Sequence, residues 1–116
     1  MIAWSANCKV LLYSGTVDMR KGVAKLAMLA QSISPDGGVP INSVFIFRGR
    51  TAHRVKLLWF DGTGLCMLAK QLERGHFVWP SIAGGTLRLS PWQLSILLEG
   101  LDWREQRSVK ERLVVG

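Results

Sequence analysis

The stretch from Val44 to Pro80 constrains this chain more than any other part of it. Aliphatic and aromatic residues recur there in short runs separated by turn signals, which is the pattern of consecutive antiparallel strands. Val44-Phe45-Ile46-Phe47-Arg48 reads as one strand, and Arg54-Val55-Lys56-Leu57-Leu58-Trp59-Phe60 as the next. Asp61-Gly62-Thr63-Gly64 is a hairpin signal that pairs Phe60 with Leu65 and returns Leu65 to Leu72 as a third strand. Arg74-Gly75 marks a turn into a fourth, Phe77-Val78-Trp79, and Pro80 with Gly84-Gly85 closes the sheet.

The turns fix a register. With Gly49 to His53 as the first loop, Arg48 is expected opposite Arg54, Ile46 opposite Lys56 and Val44 opposite Leu58. Like charges facing each other across a ladder repel, so two arginines placed that way call for an anion between them. The same register sorts the faces. Phe45, Phe47, Val55, Leu57, Trp59, Cys66, Leu68, Leu72, Phe77 and Trp79 form a core face on which only Lys70 is out of place. The other face divides into an apolar end (Val44, Leu58, Phe60, Leu65, Met67) and a basic end (Arg48, Arg54, Lys56, Gln71). The basic end is either a solvated sheet end or a docking surface for phosphates, with Arg50 and His53 on the adjoining loop.

Around this meander, Val10 to Tyr13 is a short strand ended by Ser14-Gly15. Asp18 is the expected N-cap of a helix whose apolar stripe is Met19, Val23, Leu26, Ala30 and Ile33. Pro35-Asp36-Gly37-Gly38 ends it. Ser90-Pro91-Trp92-Gln93 is a capping box with Pro at the first helical position, and Leu94, Leu97, Leu98 and Leu101 give that helix its apolar face before Gly100 stops it. Residues 1–103 therefore read as a single α+β domain, an antiparallel β-meander of four to five strands with two helices. Residues 104–116 read as a mobile basic tail.

Charge narrows the function. The 116 residues carry 15 Lys and Arg against 8 acids, a formal +7, and the excess lies inside the predicted folded region. That balance favours nucleic acid, an acidic partner or an anionic surface. No apolar run approaches the roughly 18 residues of a membrane span, and no secretory signal is visible, so the expected location is the cytoplasm. Cys8 and Cys66 lack metal-ligand spacing and read as free thiols.

Catalysis finds little support. Asp18, Asp61, Glu73, Glu99 and Asp102 are scattered, whereas two-metal phosphoryl transfer needs converging acids. Cys66 with His53 or His76 would be a nucleophile and base only if Cys66 were accessible, and the register puts it in the core. Neither a metal, a cofactor nor a small-molecule substrate is expected. Asp18-Met19-Arg20-Lys21-Gly22 places two cations at an expected helix start, where they are unfavourable unless an anion binds. Arg20, Lys21, Arg48, Arg50, Arg54, Lys56 and Arg74 are thus the candidate nucleic-acid contacts.

Several segments taken in order resemble one family: Asp18-Met19-Arg20-Lys21-Gly22, Val44 to Arg50, Lys56 to Cys66, Lys70 to Pro80, and Leu97-Leu98-Glu99-Gly100-Leu101-Asp102-Trp103. The chain resembles the small TnpB (second open reading frame, Orf2-like) accessory protein of the insertion-sequence 66 family of bacterial transposons, over Val10 to Trp103. It departs from that pattern at Gln71, where the family often has Arg, and at Thr51-Ala52-His53, where the loop is usually more charged. The resemblance implies a non-catalytic role in transposition beside a separate, larger transposase, and it supplies no catalytic residues. DNA is then the first expected partner, through its backbone, with the transposase and a second copy of the chain as others. The competing expectation is a protein-interaction or oligomerisation module that docks on the transposase without touching DNA. Exposure of Leu58, Phe60 and Met67 as one patch would favour that alternative.

Overall fold

The computed structural model describes residues 7–34 and 38–102, so the tail expected at 104–116 lies outside the described residues. Seven elements follow in order: β1 (Lys9–Val17), α1 (Val23–Ile33), β2 (Ser43–Gly49), β3 (Arg54–Phe60), β4 (Leu65–Gln71), β5 (Thr86–Leu89) and α2 (Pro91–Leu98). The strands make one sheet in the order β4-β3-β2-β1-β5. The fold is α+β, and the sheet is antiparallel except between β1 and β2, which run parallel. A parallel neighbour needs a crossover, and α1 supplies it.

The expected meander is thus present from β2 to β4, with two corrections at its end. Phe77-Val78-Trp79 is not a strand. Its contacts go to the β2–β3 loop instead: the Phe77 amide donates to the Ala52 carbonyl at 3.0 Å, and Trp79 Nε1 donates to the same carbonyl at 2.9 Å. The segment after β4 crosses beneath that loop to reach the far edge, where β5 pairs with β1. Neither β5 nor the parallel pairing was signalled by local pattern, because both depend on residues distant in sequence.

The β3–β4 hairpin keeps the predicted register, Phe60 opposite Leu65. The Asp61 carboxylate closes its turn by accepting from the Thr63 and Gly64 amides, each at 2.9 Å. The β2–β3 register differs by one residue: Arg48 faces Val55, Phe47 faces Lys56 and Val44 faces Trp59. One residue reverses every side chain of β2 relative to β3. Val44, Ile46, Val55 and Leu57 pack with Phe77 and with Leu94, Leu97 and Leu98 of α2. Phe45, Phe47 and Leu58 pack on the opposite face with Leu26, Ala27 and Ala30 of α1. The sheet is covered by a helix on each side, and the single core face expected from sequence becomes two.

The helices show where local signals hold. The Ser90 hydroxyl accepts from the Gln93 amide at 3.0 Å while the Gln93 side chain accepts from the Ser90 amide at 2.8 Å, the full capping box. Gly100, at φ 76°, ends the segment. Lys70, which looked misplaced, reaches the end of α2, where Nζ donates to the Leu98 carbonyl at 2.6 Å. A cation there meets the negative end of the helix dipole. The start of α1 is different. Its N-cap is Gly22, without a side-chain cap, not Asp18. The stripe from Met19 to Ile33 nonetheless packs as one cluster.

These contacts set two stability expectations. Phe47→Ala, at a fully buried site, should cost about 3–5 kcal/mol. Ser90→Ala should cost about 1 kcal/mol. Both are read from urea-unfolding midpoints, and an Ala at Ser90 with no effect would mean that the capping box contributes nothing.

Candidate nucleic-acid interface

The residues expected to contact phosphate fall into three groups. Arg20, Arg50 and Arg54 line one cleft of about 380 Å³, together with His53, Thr51, Val17, Asp18 and Met19. The turn after β1 forms one wall of it and the β2–β3 loop the other. Arg50 and Arg54 are exposed and make no ion pair with a described residue. Lys21 and Lys56 lie beside this group, and Arg74 is exposed on the turn after β4 without lining the cleft. Arg48 stands apart. Because Arg48 faces Val55 while Arg54 belongs to the Phe47–Leu58 side, the two guanidinium groups project from opposite faces of the sheet. The expected convergence of Arg48 and Arg54 on one anion is therefore corrected.

The cleft's shape follows from small and flexible residues. Gly49 ends β2, and a Cβ there would stand 2.9 Å from Met19 Cγ and 3.2 Å from Arg54 Cβ. The hydrogen at this position lets Met19 lie across the strand end and sets the spacing between the two walls. Lys56 ties the walls from below, Nζ donating to the Lys21 carbonyl at 2.8 Å. Its charge is thus partly spent on holding the turn. Beyond Arg54 a shallower hollow of about 250 Å³ runs past Lys56, Lys70 and Gln71.

Arg20 is the most encumbered of the cations. Its Nη2 meets Asp18 Oδ2 at 2.6 Å, its Nε donates to Oδ1 at 3.0 Å, and its backbone amide donates to Oδ1 at 2.9 Å. Those bonds hold the Asp18 carboxyl well below the usual carboxylate range and raise Arg20 in turn. Asp18 is engaged with this turn, which is why it does not cap α1. The helix-start argument for an anion site loses its premise, since the cations precede the helix and one carries its own counter-charge.

Other candidates are also placed. Cys66 is half-buried rather than inert in the core, and its thiol is pushed up by desolvation and then by the Asp61 carboxylate 3.5 Å away. A raised thiol pKa opposes nucleophilic chemistry. Among the described residues no group of three His, Cys, Asp or Glu side chains could hold a metal. Leu58 is fully buried, Phe60 and Met67 are half-buried with Met67 packed under α1, and Leu65 is exposed, so Leu58, Phe60 and Met67 do not form one exposed patch. Val17, Asp18, Met19 and Thr51 also line the cleft and are not among the expected phosphate contacts. Asp18 and Met19 belong to the Asp18–Gly22 segment already marked for anion binding, and Met19 also to the α1 stripe, whereas Val17 and Thr51 carry no such signal.

A family model described as IS66 Orf2 like protein matches residues 8–108. The chain belongs to the IS66 Orf2-like family. That membership points to an accessory role in transposition, in association with the transposase of the same element. Two relatives come from Sinorhizobium fredii. The uncharacterized protein y4hO is 40% identical over 116 residues, covering 100% of both chains. The uncharacterized protein y4jC is 33% identical over 106 residues, covering 89% of this chain and 87% of the relative. No solved structure matches the chain at a significant level.

The Asp18 fork has a pH signature. A depressed carboxyl adds stability that is present above its unfolded pKa of about 3.9 and is lost as pH falls through the lower folded value. The titration midpoint of Asp18, followed by carboxyl NMR, should lie below the ordinary range. It should rise in Arg20→Ala, because the guanidinium is the largest cause of the depression. Gly49→Ala should destabilise by about 1–3 kcal/mol through overpacking against Met19 and Arg54. Thermal unfolding checks this, and an unchanged midpoint would show that Met19 yields freely.

Proposed function

We propose that this protein is a non-catalytic accessory factor of transposition that holds nucleic-acid backbone in the cleft between the Asp18–Arg20 turn and the β2–β3 loop. The observation that carries the reading is the pair of exposed guanidinium groups, Arg50 and Arg54, on one cleft and in no ion pair with a described residue, although the Asp18 carboxylate on the same cleft feels the Arg50 charge. An arginine fork matches phosphate geometry, and two such forks on one cleft with His53 suit a backbone track. The overall +7 charge adds steering. Arg20 contributes at the rim, reduced by Asp18. Lys21 and Lys56 hold the wall and add charge behind it, and Arg74 extends the basic surface. Arg48 is left out of the interface, on the other face.

Such binding is sequence-tolerant, because phosphate contacts position without specifying. Affinity for a duplex of transposon-end sequence should fall with salt at a log–log slope near −0.9 for each phosphate neutralised. Arg50→Ala with Arg54→Ala should flatten that slope by about 2 and weaken binding at low salt. Arg48→Ala should leave the slope unchanged. Fluorescence anisotropy at several salt concentrations measures all three, and a double variant that binds like the parent would exclude the cleft.

A further inference from the structure

The geometry points to a carboxylate-binding recess around Arg48 and Trp79, on the α2 face, that accepts an acidic side chain of a partner polypeptide. β1 departs from regular pairing between Leu12 and Thr16, and beneath that irregularity lies a recess of about 240 Å³. Its polar lining includes Tyr13, Ser14, Ser81 and Arg48, and Trp79 forms a wall. The Arg48 guanidinium carbon stands 5.5 Å from the centre of the Trp79 ring. That ring is fixed twice over. Its Nε1 donates to the Ala52 carbonyl, and its edge meets the fully buried Phe77 at a centroid distance of 5.7 Å. The guanidinium therefore lies over a ring that is itself held in place.

What it lacks is an acceptor. Arg48 Nε is buried without a hydrogen-bond partner, and no carboxylate of a described residue pairs with this side chain. A charged donor withdrawn from water ordinarily finds a partner, so an orphan at the wall of a polar recess marks a place for an incoming anion. The cation–π contact with Trp79 limits where the fork can go, and a guanidinium fork matches the two oxygens of a carboxylate.

The occupant is a protein carboxylate and not a nucleic-acid phosphate. Among the described residues Arg48 is the one charged residue lining the recess, whereas a backbone is neutralised by several cations in succession. The recess opens on the face opposite the Arg50–Arg54 cleft, so a strand lying in the cleft does not reach it. The two faces then divide the labour, one for polyanion and one for an acidic protein segment. This recess stands on its own geometry and does not depend on the cleft binding DNA.

The test is a titration of the ¹⁵N-labelled full chain, following the Arg48 Nε–H and Trp79 indole resonances. The probes are a blocked Gly/Glu pentapeptide, its Gly/Gln counterpart and a short duplex. The Glu peptide should move both resonances, the Gln peptide should bind at least ten-fold more weakly, and the duplex should leave both in place. Arg48→Lys, which keeps the charge but loses the planar fork, should lose the preference for Glu over Gln. Unmoved resonances with the Glu peptide, or equal binding of the two peptides, would overturn the assignment. Movement with duplex would assign the recess to nucleic acid instead. The Arg50 and Arg54 Nε–H resonances in the same spectra score duplex binding at the cleft, so its failure there leaves the carboxylate result intact.

Discussion

The pairing of β2 with β3 is the constraint on which the rest of this molecule depends. β2 is buried on both sides, Val44 and Ile46 toward α2 and Phe45 and Phe47 toward α1. Each of these side chains contributes about 1.5–3 kcal/mol by leaving water. A strand with apolar residues at successive positions does not announce which set belongs to which side, since either choice buries something. What decides is the fit of all four against both helices at once. The polar consequence is carried along: the parity that places Phe47 under α1 sends Arg48 to the opposite face and leaves Arg54 on its own.

Around that central pair, charged side chains act as ties as much as contacts. Lys56 holds the turn before α1 on one face, and Lys70 holds the end of α2 on the other. The β2–β3 loop that carries Arg50 and His53 is braced from below by Phe77 and Trp79 through the Ala52 carbonyl. The cleft is thus set by backbone and aromatic contacts that do not themselves meet a ligand. Positioned cations lose less freedom on binding than those on a free loop.

The local signals were legible wherever a few neighbouring residues decide the outcome. The capping box at Ser90, the Asp61–Gly64 turn and the α1 stripe are of this kind, as is the family pattern. The failures are equally specific. Asp18 resembles an N-cap in sequence, but Arg20 two residues on offers it a stronger partner than the free amides of α1. Phe77–Trp79 has strand composition, yet its partner is a loop. β5 and the parallel β1–β2 pairing are decided by residues far apart in the chain, beyond what a window can show. For the cleft, the arginines were visible as a set, but not their division between two faces.

The position of β1 in the sheet has a consequence for how the chain is made. β1 is an inner strand, flanked by β2 and β5, although it is made before the other strands and Thr86–Leu89 is made last of them. At a synthesis rate of about 5–20 residues per second, one edge of β1 stays bare for on the order of ten seconds. An inner strand with an unpaired edge is a template for association with other chains. Translation products that stop before Thr86 keep that edge permanently, which makes truncation, more than substitution, the route by which this protein would turn into an aggregating one.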